Sequence, residues 1–182
     1  MATNKFWSDA SLEPKRMHRW LLYIGGEPIP GSTSGTVGIP TYVVKKVDKP
    51  KFTVNETPHS FFGHKFYYPG NVEWQDMSFT LVDPIDPDVS KKLYDALISG
   101  GYAGPESQPV STVSKNRLVS AFGNIITLQQ LDPNNTVLDQ FQLINPWVKN
   151  VEFGSLDYES DALVEINVTV RYDWANFSLL GG

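Results

Sequence analysis

The sequence contains no cysteine, which excludes disulfide bonds, thiolate catalysis and cysteine-ligated zinc or iron–sulfur centres. Charged residues are also scarce, at 19% of the chain, and this is compatible with large contacts between subunits. No long hydrophobic run occurs near the N-terminus: the apolar stretch from Trp20 to Ile24 is too short for a membrane span, and no signal-peptide core precedes it. We therefore expect synthesis in the cytoplasm and no membrane insertion.

Motifs of common enzymes are missing as well. The glycine-rich segment 31–38 has no phosphate-loop lysine and does not open a predicted helix, and no Gly-x-Ser-x-Gly elbow occurs. His59 and His64 share one segment, but no carboxylate stands at a spacing diagnostic of a metal site. The acidic cluster at 83–88 suits a helix cap better than a calcium loop. We expect no enzymatic activity, no metal and no cofactor.

Length and composition predict one globular domain over residues 1–182, because 182 residues with 41% hydrophobic content can bury a sizeable core. The net charge of −5 argues against tight nucleic-acid binding. Residues 1–65 hold nine basic and five acidic residues, a net of +4, whereas residues 66–182 hold six and fifteen, a net of −9. This asymmetry can steer unlike faces of identical subunits together, or it is an ordinary uneven surface.

Alternation of apolar and polar residues predicts a mostly β or α+β domain. The clearest strand is the last, 164–172, in which Ile166, Val168 and Val170 share a core face. Long loops rich in glycine and proline are predicted at 25–41 and 99–114. The predicted strands are 17–24, 42–47, 52–56, 65–68, 73–82, 125–131, 136–144, 147–153 and 164–172. The turn 132–135, Asp-Pro-Asn-Asn, predicts that 125–131 and 136–144 form a hairpin.

One packed helix is predicted after the strand that ends at Val82. Asp86 suits its N-cap, Pro87 its first position, and Gly100 follows its end. Its apolar stripe at helical spacing comprises Val89, Leu93, Ala96 and Leu97.

Aromatic residues crowd the segment 61–68, which also carries Lys65. Three interpretations are open: packing in the core, a contact between subunits, or a stacking platform for single-stranded nucleic acid. The acidic net charge favours the first two. The residues are Phe61, Phe62, Phe66, Tyr67 and Tyr68.

Two segments carry a family resemblance. The first is 70–82, GNVEWQDMSFTLV, followed by an acidic turn and the predicted helix. The second is 145–158, NPWVKNVEFGSLDY, which leads through 159–161 to the strand that ends before Trp174. In this order and spacing the chain resembles the tail tube proteins of contractile-tailed, T-even-like bacteriophages.

The resemblance implies a structural virion protein. Its fold would be an antiparallel β-sandwich-like barrel, and its sheets would join those of its neighbours into a closed barrel in a hexameric ring. Rings would stack head to tail into the tube that conducts DNA. The implied partners are further copies of the chain, the tail sheath protein, the tape-measure protein, baseplate tube-initiating proteins and genomic DNA, which passes through without specific binding. The implied location is the virion tail, after assembly in the host cytoplasm.

Within that family picture, the polar faces of the closing strands become candidates for the channel lining. We expect these lumen-facing residues to be Asn150, Glu152, Glu165, Asn167 and Thr169. The alternative is that they face solvent on a monomer. The aromatics of 61–68 are then the candidate contacts between subunits.

Three other functions compete with a repeating tube subunit. A baseplate or tube-initiating ring would share the fold, and so would the inner tube of a phage-derived injection machine. A ligand-binding β-domain would instead use the aromatics of 61–68 on a monomer or small oligomer.

Overall fold

The computed structural model describes residues 14–25, 38–106 and 112–180. Two helices and ten strands occur in this part of the chain, with a short 3-10 helix at Thr41–Val43. The helices are α1 (Val89–Ser99) and α2 (Lys115–Ala121). The strands are β1 (Trp20–Ile24), β2 (Val44–Val47), β3 (Phe52–Phe61), β4 (His64–Trp74), β5 (Met77–Val82), β6 (Ile125–Leu131), β7 (Val137–Ile144), β8 (Trp147–Glu152), β9 (Glu165–Arg171) and β10 (Trp174–Leu179).

The strands form two four-stranded sheets and one separate two-stranded ribbon, all antiparallel. Sheet I has the order β1-β6-β7-β10, sheet II has the order β2-β5-β9-β8, and the ribbon is β3-β4. The mostly β, antiparallel prediction is therefore confirmed. The prediction of a single helix is wrong, because α2 follows α1. Within the described residues neither sheet closes on itself, so the chain alone forms no closed barrel.

The core lies between the two sheets and under α1. Buried and outward-facing residues alternate along β5 and β9, as their sequence pattern predicts. Phe79 pairs with Val168 and Leu81 pairs with Ile166, and all four side chains are buried. Sheet I contributes Leu22, Ile24, Ile126, Leu128 and Leu143 to the same cluster. Because each strand of sheet II buries one face, its other face is left to solvent or to a partner.

The start of α1 differs from the prediction. Its N-cap is Asp88, which accepts a hydrogen bond from the backbone N–H of Lys91 at 2.8 Å, so Asp86 and Pro87 precede the helix. Asp83 accepts from the N–H of Val89 at 3.1 Å. Val89, Leu93 and Ala96 are buried as predicted, but Leu97 is 39% exposed, and the helix ends at Gly100 as predicted.

Several element boundaries differ from the predicted ones. Met17 and His18 form a turn, so β1 starts at Trp20, and residues 42–43 belong to the 3-10 helix. The predicted strand 73–82 is divided at Gln75–Asp76. The strand predicted as the last is followed by β10. Most of the predicted loop 25–41, and 107–111 of the loop 99–114, lie outside the described residues. The hairpin predicted at 125–144 is confirmed.

The largest correction concerns residues 52–74. Two short strands separated by a loop were expected there, but β3 and β4 have ten and eleven residues and are joined by a tight turn at Phe62–Gly63. Pro58 pairs with Tyr67, and Pro69 pairs with Glu56. Proline is tolerated here because each strand of a two-stranded ribbon has one open edge.

Candidate functional site and assembly surfaces

The five predicted lumen residues lie together on the face of sheet II that points away from the core. Ile166, Val168 and Val170 are buried, so Glu165, Asn167 and Thr169 between them face outward. The register of β8 with β9 pairs Asn150 with Thr169 and Glu152 with Asn167, which brings β8 onto the same face. The structure thus brings the five residues together on one face, and their role as a channel lining stays a prediction.

Hydrogen bonds join the polar side chains across the strands of this face. Thr80 Oγ1 donates to Asn167 Oδ1 at 2.9 Å, and the hydroxyls of Ser78 and Thr169 are 3.2 Å apart. On β8, Asn150 Nδ2 donates to Glu152 Oε1 at 3.1 Å. Short, mutually bonded hydroxyl and amide groups therefore cover the centre of the sheet. We call this surface the polar face.

Charges on the polar face balance. Lys45 is ion-paired with Glu165, and Lys46 lies directly opposite Thr80 in the register. With Glu152, this makes two lysines and two glutamates, and Arg171, on the same side of β9, is ion-paired with Asp76. Such a surface offers no excess of positive charge for binding phosphates.

A second group of charges ties β8, β9 and the turn before β5 together. Asp76 accepts from Lys149 at 2.5 Å and from Arg171 at 3.1 Å, and Arg171 also lies 3.5 Å from Glu73. The hydrogen bond from Lys149, helped by Arg171, lowers the pKa of Asp76. The same contact with Asp76 raises the pKa of Arg171. These ion pairs hold the base of the ribbon against the end of sheet II.

Asp76→Asn is expected to lower the free energy of unfolding by roughly 1 kcal/mol near neutral pH. Because the pKa of Asp76 is depressed on folding, its stabilisation is present above the ordinary carboxyl value of 3.8 and is lost as pH falls through the lower folded pKa. The gap in melting temperature between native chain and variant should therefore be widest above pH 5 and narrow towards pH 2. Asp95→Asn, at an exposed position of α1, is the control. A gap that stays constant with pH would contradict the assignment.

The ribbon is exposed along almost its whole length. The five aromatics of 61–68 have exposed fractions between 50% and 87%, so the interpretation that they pack in the core is wrong. The pairing register of β3 and β4 assigns these aromatics to different faces of the ribbon. Phe61, Phe66 and Tyr68 share one face with the two histidines, whereas Tyr67 lies on the other face and Phe62 is in the turn.

Both faces of the ribbon carry exposed apolar side chains. Near its base, Phe52, Val54 and Val72 are exposed on the same face as Tyr67. An isolated two-stranded hairpin is marginally stable in water, and contiguous exposed apolar surface of this kind marks interaction sites. The base itself is anchored, since the Trp74 ring meets that of Phe52 edge to face, with ring centroids 5.4 Å apart, and lies tilted against the buried Tyr172, with centroids 6.0 Å apart.

Further exposed apolar residues were not singled out by the sequence analysis. Leu156, Tyr158 and Leu163 lie in the segment between β8 and β9, which borders a shallow cleft of about 760 Å³ beside Glu165. Trp174 and Phe177 are exposed on the edge strand β10. The only signal for Leu156 and Tyr158 was their place in the motif 145–158, and Leu163 gave none, because a segment with no buried face shows no alternation.

Residues 14–25, 38–106 and 112–180 contain no group of three or more side chains placed to bind a metal ion. In the same part of the chain, neither helix has the length and apolar character needed to cross a membrane.

No protein-family model matches the sequence, and no curated protein matches it. Solved structures nevertheless share the fold over nearly the whole chain. A chain of the anti-feeding prophage cap, described as a tube terminating cap, superposes with a TM-score of 0.65 at 14% identity, over 98% of this chain and 99% of that one. A chain of an extracellular contractile injection system, from its PVC sheath–tube complex in the extended state, gives 0.63 at 14% identity, over 98% and 100%.

A chain from the anti-feeding prophage baseplate, 6-fold symmetrised, gives a TM-score of 0.61 at 12% identity, over 92% of this chain and 97% of that one. At these identities the similarity establishes a shared fold. The fold class is therefore that of chains from contractile injection systems. The resemblance to contractile-tail tube proteins found in the sequence is confirmed at that level.

Proposed function

We propose that this chain is a non-enzymatic structural subunit of the inner tube of a contractile tail, which assembles into stacked hexameric rings. The observation that carries the proposal is the ribbon, apolar on both faces and exposed in the single chain. A domain with this fold gains a partner for that surface when copies pack together. The shared fold with chains of contractile injection systems supports the same conclusion.

Ring formation would join sheet II of each copy to that of its neighbours. Sheet II ends in two edge strands, β2 and β8, and closure into one barrel removes such edges, which otherwise promote aggregation. Six copies per ring is part of the proposal. It is supported by the similarity to a chain from a baseplate that was 6-fold symmetrised.

The polar face would then line the channel, with Asn150, Glu152, Glu165, Asn167 and Thr169 directed inward. Its balanced charge and its hydroxyl and amide groups suit a passage that should not retain phosphates. Genomic DNA is the proposed cargo in a phage tail.

Stacking would use the ribbon and the exposed segment between β8 and β9. Rings in head-to-tail contact make a heterologous interface, which grows into a filament. The proposed partners are the tail sheath protein outside the tube, the tape-measure protein inside it during assembly, and baseplate tube-initiating proteins at its start. The proposed location is the virion tail, after assembly in the host cytoplasm.

Two related roles have specific support. The inner tube of a phage-derived injection machine is favoured by the similarity to an extracellular contractile injection system. A terminal ring is favoured by the similarity to a tube terminating cap. A ligand-binding domain is less well supported, because a binding platform needs one aromatic face, whereas this ribbon is apolar on both.

The purified chain is expected to form long hollow tubes with a regular axial repeat as its concentration rises. Negative-stain electron microscopy and sedimentation test this. Isolated rings that never stack would indicate a terminal ring. A chain that stays monomeric at every concentration, alone and with tube fragments added as seeds, would overturn the proposal.

A further inference from the structure

The two open edges of sheet II carry unpaired charges of opposite sign. The edge strand β2 bears Lys45 and Lys46, and the edge strand β8 bears Glu152. Glu152 and Lys46 are the two ends of one row, since the register aligns Lys46, Thr80, Asn167 and Glu152 across all four strands. The row therefore crosses the polar face from a positive end to a negative end.

Within the described residues, these two terminal charges lack an ionic partner in the single chain. Lys45 is held by Glu165 within the sheet, and Lys149, also on β8, is held by Asp76 at 2.5 Å. In the described part of the chain, by contrast, Lys46 is exposed without an ion pair, and Glu152 accepts only from the amide of Asn150. An interface could therefore use both charges without breaking an existing ion pair.

Strand direction allows the two edges to meet. Neighbouring strands in sheet II are all antiparallel, so β2 and β8, the first and fourth of four, run in opposite directions. Rotation about the central axis of a ring carries each copy onto the next, so that equivalent strands keep the same direction relative to that axis. Strand β8 of one copy would then lie antiparallel to β2 of the next, which continues the hydrogen-bond pattern of the sheet.

Charge also selects this junction over the others. Among the charges without an ion pair in the described residues, two β2 edges would bring lysines together and two β8 edges would bring glutamates together, and like charges directly opposite are destabilising. Only β8 against β2 brings unpaired charges of opposite sign together. That contact is heterologous, so it repeats in one sense around a ring and closes when the rotation allows.

We propose that β8 of one copy pairs with β2 of the next, and that the junction is selected by an ion pair between Glu152 and Lys46 of adjacent copies. The inference rests on the proposed function, because it specifies the edges by which rings of that tube would close. It also gives both residues a role in ring formation besides lining the channel.

Charge exchange tests the junction. Lys46→Glu alone and Glu152→Lys alone place like charges at every junction, and each should raise the concentration for half-assembly at least about tenfold. The double variant restores opposite charges and should assemble near the native concentration. Lys91→Glu, at an exposed position of α1, is the matched control and should not restore assembly to either single variant.

Mixing the two single variants gives the sharper result. In an alternating ring every junction again joins a lysine to a glutamate, so an equimolar mixture should assemble although neither component does so alone. The alternation requires an even number of subunits. Assembly of the mixture, measured by sedimentation and electron microscopy, is expected. A mixture as defective as its components would overturn the ion pair.

Cysteine cross-linking tests proximity directly, because the chain has no cysteine of its own. Lys46 and Glu152 of one copy are three strand spacings apart, roughly 14 Å, which is too far for an internal disulfide. Oxidised assemblies of the Lys46→Cys, Glu152→Cys double variant should show a ladder of covalent oligomers that ends at a closed ring. Monomers only, from native-like rings, would overturn the edge pairing and leave the proposed function intact. Failure of the native chain to assemble would instead overturn the proposed function.

Discussion

A chain in which Phe61, Phe66 and Tyr68 are all replaced by serine is expected to remain a folded monomer and to lose the ability to form tubes. The three rings share one face of the ribbon and are at least half exposed in the single chain, so they contribute little to its fold. If an interface buries the surface of these rings that is exposed in the single chain, the substitutions reduce the free energy of association by roughly 4–6 kcal/mol per contact. This corresponds to an association weaker by roughly a thousandfold to ten-thousandfold.

The controls separate assembly from folding. Thr53→Ser, Asn55→Ser and Thr57→Ser change three positions of the same ribbon, all in β3, without removing an aromatic ring, and should assemble like the native chain. Tyr67→Ser tests the opposite face alone. Thermal unfolding of monomers and sedimentation of assemblies give the two readouts. Native-like tubes from the triple variant would exclude this face as an interface, whereas a large fall in melting temperature would show that the rings stabilise the fold.

Periodicity predicted the strands that bury one face. In β5 and β9 the buried residues alternate with polar ones. The residues of the core and those of the polar face could therefore both be predicted from the alternation. The hairpin of β6 and β7 was also correct, because the turn 132–135 separates two patterned runs. The five lumen candidates were grouped for the same reason. Their identity as channel residues stays a prediction.

The ribbon escaped the sequence analysis because its pattern has no buried face. Both sides of β3 and β4 are exposed and carry aromatics, so apolar residues do not alternate with polar ones. Proline also disfavours strands in general, yet Pro58 and Pro69 are tolerated because each lies in a ribbon with an open edge. A strand that is exposed on both faces in the single chain thus gives a weaker periodic signal than a strand that buries one face in the core.

Short elements and sheet order were missed for other reasons. The helix α2 has seven residues and buries only Leu118 and Val119, which is too short for a helical period to emerge. Its cap was a usable signal, since Ser114 Oγ accepts from the N–H of Arg117 at 3.3 Å. The opposite charges at the edges of sheet II could not be found, because a sequence does not state which strands are neighbours.

Phe79→Ala is expected to lower the free energy of unfolding by roughly 3–5 kcal/mol, a large part of the stability of an ordinary domain. Phe79 is 2% exposed and faces the core from the second strand of sheet II, so its removal leaves a cavity under the polar face. The next residue, Thr80, points to the other side, where it donates to Asn167. Thr80→Ala should therefore cost no more than about 1 kcal/mol.

Denaturant unfolding of the two variants is best measured in the serine-substituted, monomeric background, because assembly would stabilise the folded state by mass action and mask the difference. We expect Phe79→Ala to lower the free energy of unfolding several times more than Thr80→Ala does. Similar costs for the two would mean that both faces of β5 are packed in the monomer. That outcome would remove the physical basis for placing the polar face on a channel, since a surface already covered within one chain cannot line a passage between several.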